Sequence, residues 1–198
     1  MYIELSDTCP YSSDDSFDSF FPKHIREISK KHWTPINVAQ TAAQFLAEGP
    51  GKILDIGSGI GKFCLTAAYH HPHTQFYGVE QRIELISYAT LAKGCHNLSN
   101  VHFLHSNITQ IDFNEFNHFY FFNSFYENID TQNRIDQKIQ AYYSLYNYYS
   151  QYLYNILEEK PIGTRIATYH SSEHEIPLGF EVVDSYYDGK LKMWLKIN

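Results

Sequence analysis

Between residues 34 and 170, short apolar runs alternate with longer stretches in which apolar residues recur every three or four positions. The short runs, at 52–56, 75–79, 101–105, 119–123 and 164–169, have the length and β-branched or aromatic content of buried strands. Helices are expected at 60–70 and 83–93 and, ahead of the first strand, at 22–31 and from Thr34. Thr34 suits a cap and Pro35 a first helical turn; Val38, Ala42, Phe45 and Leu46 share one face, and Gly49 ends it. Strands that alternate with helices require right-handed crossovers and a parallel sheet covered on both faces. The expected architecture is a doubly wound α/β domain.

Two stretches depart from that rhythm. Between 131 and 160, Ile135, Ile139, Tyr142, Tyr146, Tyr149, Leu153 and Ile156 step by four and three, the mark of one long helix. Tyr143, Tyr148 and Tyr152 fall on its flanks, where tyrosines serve either as a recognition surface or as a sheet cover with wet hydroxyls. At the end of the chain, two β-rich runs surround Asp188-Gly189, a pair that favours a tight turn. An antiparallel hairpin therefore closes one edge of the parallel sheet.

Composition narrows the function classes. A chain of 198 residues with 43% hydrophobic and 19% charged residues has the size and make-up of one globular domain. Its longest apolar run, 118–126, is too short to span a bilayer, and the start of the chain does not read as a signal peptide, so a cytoplasmic location is expected. Residues 6–19, rich in Ser and Asp, read as a mobile arm, a lid over a site, or a frayed terminus. Cys9, Cys64 and Cys95 form no paired motif and are read as reduced thiols. The formal charge is −7 with no sustained basic stripe, so a small molecule or protein is expected as partner rather than nucleic acid. His70, His71 and His73 invite a metal reading, but they fall at the far end of a helix, and no metal is expected.

The chemistry concentrates in ILDIGSGIGKF, residues 53–63. In an open parallel sheet, ligands bind beyond the carboxyl ends of the strands, where this turn falls. Gly57, Gly59 and Gly61 give GxGxG, and Lys62 stands where a dinucleotide fingerprint would want its third glycine, which disfavours NAD or FAD. Asp55, ahead of the first glycine, would gain nothing from a pyrophosphate but would pair with a cationic amino group. Glu80 ends the second strand, from where a carboxylate accepts hydrogen bonds from both ribose hydroxyls. The ligand is a nucleoside with a free ribose and a cationic tail.

S-adenosylmethionine fits that description, and ILDIGSGIGKF together with GVEQ resembles the first two motifs of the class I S-adenosylmethionine-dependent methyltransferases. The likeness covers roughly residues 34–197 and is closest to a group of small bacterial members. It implies a Rossmann-like methyltransferase domain over 34–198, with an N-terminal arm and cap helix over 1–33. It also implies that Asp55, Gly57, Ser58, Gly59, Gly61, Glu80 and Gln81 hold the cofactor. In VHFLHSNIT, Asn107 stands where the family often has an aspartate facing the adenine amino group. Trp33, Thr34 and Pro35 would fold over the cofactor, as N-terminal segments do in the family.

For the acceptor, Asn123-Ser124-Phe125-Tyr126 aligns with the (Asp/Asn/Ser)-Pro-Pro-(Tyr/Phe) motif of amino-group methyltransferases, without either proline. It is more loosely similar to the Asn-x-x-Phe stretch of histone lysine methyltransferases of this fold. The resemblance implies that Asn123 touches both cofactor and acceptor, that Tyr126 packs on the acceptor, and that the acceptor is an amine of a small molecule or protein. Transfer from a sulfonium asks mainly for in-line positioning, and a base only where the acceptor must lose a proton; His170 and Glu127 are the candidates. Two other readings stand beside this one: a protein that holds the cofactor without transferring a methyl group, and an NAD-dependent oxidoreductase, which the glycine spacing opposes.

Overall fold

The computed structural model describes residues 10–130 and 132–198; the expectations for Cys9, for 6–9 of the arm and for a helix start at Thr131 lie outside them. Seven strands form one sheet: β1 (Lys52–Ile56), β2 (Gln75–Glu80), β3 (Val101–His105), β4 (His118–Phe121), β5 (Arg165–Tyr169), β6 (Phe180–Tyr186) and β7 (Leu191–Lys196). Their order is β3-β2-β1-β4-β5-β7-β6, parallel through β5 and antiparallel for β7 and β6. The order reverses beside β1, because β2 lies on one side of it and β4 on the other. That switch point is where the glycine turn emerges.

The helices are α1 (Asp14–Asp18), α2 (Lys23–His32), α3 (Ile36–Ala47), α4 (Lys62–His70), α5 (Ile83–Cys95) and α6 (Tyr143–Glu158). They cover the sheet unevenly. Ile53, Phe76, Tyr120, Ala167 and Met193 belong to one apolar cluster with residues of α1 to α5. Leu54, Val79, Phe119, Phe121 and Ile166 belong to the other, with Leu153 and Leu157 of α6 and Ile108 and Phe113 of short 3-10 turns. Alternate side chains along each strand thus feed opposite cores.

The first face is closely fitted. Every residue of α4 from Lys62 to Ala68 is buried, and Phe63 stacks on Tyr120 of β4 at 3.9 Å. The Tyr120 hydroxyl meets Thr34 Oγ1 at 2.9 Å, so the residue expected to cap α3 pairs with the sheet, and Pro35 precedes the helix. The N-terminal region is built into this core: Tyr11, Phe17, Phe21, Ile25 and Trp33 share it with the sheet, and Asp14 Oδ1 accepts the Ile36 amide at 2.9 Å. Residues 10–19 are therefore anchored through Tyr11 and Phe17, with residues 12–15 and 19 exposed, in place of the free arm or frayed end the composition suggests.

Two expected elements end elsewhere. β4 stops at Phe121, not at 123, because Asn123 takes a left-handed φ of 46° and the Ser124 hydroxyl donates to the Ile56 carbonyl, turning the chain across the end of β1. α6 begins only at Tyr143, although the spacing predicts helix from 131. Before it, polar side chains satisfy the backbone locally: Asp136 Oδ1 accepts the Lys138 amide at 2.8 Å, and Arg134 donates to the Ile139 carbonyl. Ile135 packs against the first cluster, whereas Tyr146, Tyr149 and Ile156 pack against the second; Tyr142 caps the helix and is exposed. One helix face could not serve both. At the edge, Tyr187, Asp188 and Gly189 take φ of 54°, 56° and 79° and close the β6–β7 hairpin where Asp-Gly predicts it.

Candidate functional site

The glycine turn is pinned before it reaches its ligand face. The amides of Gly57 and Ser58 both donate to the Val79 carbonyl at 2.9 Å, tying the end of β1 to the end of β2, and the Gly61 amide returns to Ser58 O at 2.8 Å. Gly57 and Gly59 take left-handed φ of 76° and 55°. A Cβ on Gly57 would lie 2.7 Å from Ser124 Cβ, and one on Gly59 would lie 2.4 Å from the Trp33 ring. Both glycines are required twice, by the backbone and by what presses on it.

Beside the turn opens a cleft of about 670 Å³ between the ends of β1, β2 and β4 and the C-terminal end of α2. Gly57, Glu80, Gln81 and Asn107 line it on the donor side, and Asn123, Tyr126 and His170 at the far side, so one cavity collects most of the residues the sequence singles out. Asp55, Ser58, Gly59 and Gly61 are not among its lining residues.

Glu80 is 5% exposed and faces several donors at once: the Arg82 amide reaches Oε1 at 2.9 Å, the Gly59 amide reaches Oε2 at 3.3 Å, and the Arg82 guanidinium lies at 3.6 Å. Burial raises its carboxyl above the ordinary value, and Arg82 and these amides work against that rise. Gln81 gives its carbonyl to His105 at 3.1 Å. Asn107 is committed internally: its Oδ1 accepts the Thr109 amide and hydroxyl, each at 3.0 Å, and its Nδ2 donates to the Tyr149 hydroxyl at 2.8 Å. That side chain holds the rim loop in place of the free acceptor the sequence suggests.

Asp55 differs most from its expectation. It is buried in β1, its nearest polar partner is Cys64 Sγ at 3.6 Å, and burial pushes its carboxyl up to about 8. That shift favours its protonated form, and the residue lies within β1, outside the lining of the cleft. An ion pair with a ligand's amino group does not follow from that position.

At the acceptor side, Asn123 stands among aromatic rings. Phe122 lies 4.9 Å from Tyr169 and 6.0 Å from His170, and Tyr169 lies 4.4 Å from His170. The Tyr126 amide donates to Asn123 O at 3.0 Å, starting a 3-10 turn, Tyr126–Asn128. His170 also has a left-handed φ, 56°, and burial lowers its pKa, leaving the ring neutral at physiological pH.

Trp33 and Pro35, from the segment expected to cover the cofactor, line the cleft, and the buried Trp33 indole Nε1 has no hydrogen-bond partner among the described residues. Two further contributors escape a reading of the sequence. Lys62, at 3% exposure, is held by Asp14 at 2.7 Å and Asp18 at 2.9 Å, fastening α1 to the start of α4. Lys30, Lys31 and His32 line the cleft from α2; burial and the neighbouring Arg82 and Lys31 lower the His32 pKa, so the two lysines make a basic rim that the net charge of −7 conceals. Charge totals carry no trace of that rim; only the placement of α2 reveals it. His70, by contrast, meets Gln40 Nε2 at 3.0 Å, and among the described residues no group of three or more His, Cys, Asp or Glu could hold a metal.

Against this geometry, the comparisons with known proteins are specific about family. A family model described as a methyltransferase domain matches residues 48–161. The chain belongs to that family. Its cofactor is S-adenosylmethionine. The tRNA (guanine-N(7)-)-methyltransferase of Synechococcus sp. (strain JA-3-3Ab) is 34% identical over 86 residues, 43% of this chain and 36% of that one. Its counterpart from Trichormus variabilis (strain ATCC 29413 / PCC 7937) is 31% identical over 85 residues, 43% of this chain and 40% of that one. The match thus spans well under half of these curated relatives. TrmN from Thermus thermophilus superposes with a TM-score of 0.61 at 17% identity, over 86% of this chain and 52% of that one. An RNA methyltransferase from Salinibacter ruber, solved with S-adenosyl-L-homocysteine, gives 0.56 at 18% identity, over 81% and 90%. Both share the fold.

The methyltransferase domain's residues suit its cofactor. The left-handed Gly57 brings backbone without a side chain to the cleft, Glu80 offers a buried carboxylate at its edge, and the Trp33 indole offers an unused donor. Among the described residues, no helix is long and apolar enough to cross a membrane.

Proposed function

We propose that this chain transfers the methyl group of S-adenosylmethionine to a ring nitrogen of an RNA base. The observation that carries the reading is the acceptor side of the cleft, where Asn123 stands beside Phe122, Tyr126, Tyr169 and His170 while Lys30 and Lys31 form the rim. Flat rings suit stacking of a splayed-out base, and a basic rim suits its phosphates. The names of the curated relatives support the same acceptor class. The expectation against nucleic acid rested on net charge and on the lack of a sustained basic stripe; binding responds to the local field, and four Lys or Arg lie within α2 alone: Lys23, Arg26, Lys30 and Lys31.

The cofactor supplies an already electrophilic methyl on a sulfonium. Glu80 would receive the ribose hydroxyls, Gly57 would let the ligand approach the backbone, Gly59 would hold the turn under Trp33, and Asn123 would orient the acceptor nitrogen. A pyridine-type ring nitrogen carries its lone pair in the ring plane and attacks without losing a proton. His170, neutral here, is then needed for packing and not as a base.

A second reading has its own observation. Asp130 also lines the cleft, and its carboxylate would attract the cationic amine of a small molecule or protein, the acceptor the Asn123 motif suggests. One experiment separates these readings: incubation with methyl-labelled S-adenosylmethionine and separate RNA, protein and small-molecule fractions. Label that nuclease digestion releases as a methylated base supports RNA; label in protein or amine alone overturns it. Binding of S-adenosylhomocysteine with no labelled product in any fraction would leave a non-catalytic binder.

A further inference from the structure

The Arg82 guanidinium, 9% exposed, meets three carboxylates, each through a different nitrogen. Nη1 lies 3.6 Å from Glu80, Nη2 lies 2.6 Å from Glu127 and Nε lies 3.2 Å from Asp136. These acids come from separate parts of the cleft. Glu80 ends β2 on the donor side. Glu127 belongs to the 3-10 turn that starts at Tyr126 and is anchored to Asn123 O. Asp136 adjoins Ile135, which lines the cleft, and its other oxygen accepts the Lys138 amide at 2.8 Å.

We infer that Arg82 is a positioning residue that couples the donor carboxylate Glu80 to the acceptor wall formed by Glu127 and the 132–138 segment. The inference rests on the methyltransferase reading above and concerns how its two half-sites are kept in register. A guanidinium presents its donors in a rigid planar fork, so a shift of one partner reorients the others; a lysine ammonium cannot hold three separated carboxylates in this way. Because Glu127 and Asp136 are only partly exposed, at 21% and 24% of their side chains, loss of the fork leaves them poorly solvated and frees the wall. The wall and the donor then communicate through one side chain, and by linkage a change at either end must appear at the other.

An ion pair that serves stability alone predicts no such communication. Calorimetric titration with S-adenosylhomocysteine distinguishes the two, because Glu127 and Asp136 are not assigned to the donor. In wild type, Glu127→Gln/Asp136→Asn and Arg82→Lys, the coupling predicts roughly tenfold weaker binding in both variants, with circular dichroism unchanged. Affinity equal to wild type in either folded variant overturns it. Should the double variant fail to fold, Glu127→Gln alone, which leaves Arg82 and Glu80 in place, decides by the same criterion. Failure of the wild type to bind S-adenosylhomocysteine would overturn the functional reading itself, a different result from unequal or equal binding among the variants.

Discussion

Trp33 stands against Gly59 so closely that a Cβ built on the glycine would lie 2.4 Å from the indole ring. The contact joins the segment before α3 to the turn after β1, seating the Trp33 wall of the cleft on the turn that carries Gly57. Gly59→Ala would force both a left-handed alanine and a displaced indole. The expected cost is about 1 to 3 kcal/mol of stability, with weakened S-adenosylhomocysteine binding. At Gly94, in α5, an added Cβ would meet nothing within 4 Å, so Gly94→Ala should instead add about 0.5 to 1 kcal/mol. Urea denaturation of both variants checks the contrast; equal effects would contradict it.

Asp55 gives a pH signature. Its carboxyl is pushed from 3.8 to about 8 by burial, so the folded protein holds a proton that the unfolded chain releases. Its contribution to stability is full below about pH 4 and is lost as pH rises through about 8. Asp55→Asn, a neutral near-isostere, should therefore gain stability relative to wild type as pH rises from 5 to 8.5. Thermal unfolding across that range measures the difference, and a difference that stays flat would show that Asp55 is ionised in the fold.

Much of the fold is legible in the sequence because the parallel strands are buried on both faces and read as apolar runs, as in Ile53, Leu54 and Ile56. The glycine turn is legible for a related reason: left-handed backbone at Gly57, Gly59 and Gly61 leaves a residue-type signature. The start of α6 is not legible, because helical spacing from Ile135 onward is imitated by a segment whose Ile135 enters a different core and whose Asp136 binds Arg82. Arg82 itself is invisible beforehand, since Glu127 and Asp136 reach it only through folding. Asp55 is legible only in part: the motif gives its position but not its burial.

Asn123 adopts a left-handed φ of 46°, a conformation asparagine tolerates better than most residues. Asn123→Gly should keep that backbone and remove only the side chain. Turnover on the methylated fraction is expected to fall by at least about tenfold, with S-adenosylhomocysteine affinity within about twofold of wild type. Full activity in the glycine variant would remove the side chain from acceptor positioning.

Lys62 is the buried cation that fastens α1 to α4 through Asp14 and Asp18. Lys62→Met keeps most of the volume and leaves Asp18, partly exposed, and Asp14, half exposed, without their partner, so a loss of about 2 kcal/mol is expected in chemical denaturation. A loss below about 1 kcal/mol would show that α1 is held by Phe17 and its apolar neighbours alone.

The central claim is that the cleft beside Gly57 and Glu80 binds the methyl donor. Thermal unfolding of wild type and Glu80→Ala with S-adenosylhomocysteine or NADH tests it most directly. At about 100 times its dissociation constant, S-adenosylhomocysteine should stabilise the wild type by roughly 2.7 kcal/mol, with the effect largely lost in Glu80→Ala and none from NADH. Stabilisation by NADH alone, or equal stabilisation of both proteins by S-adenosylhomocysteine, would contradict the account.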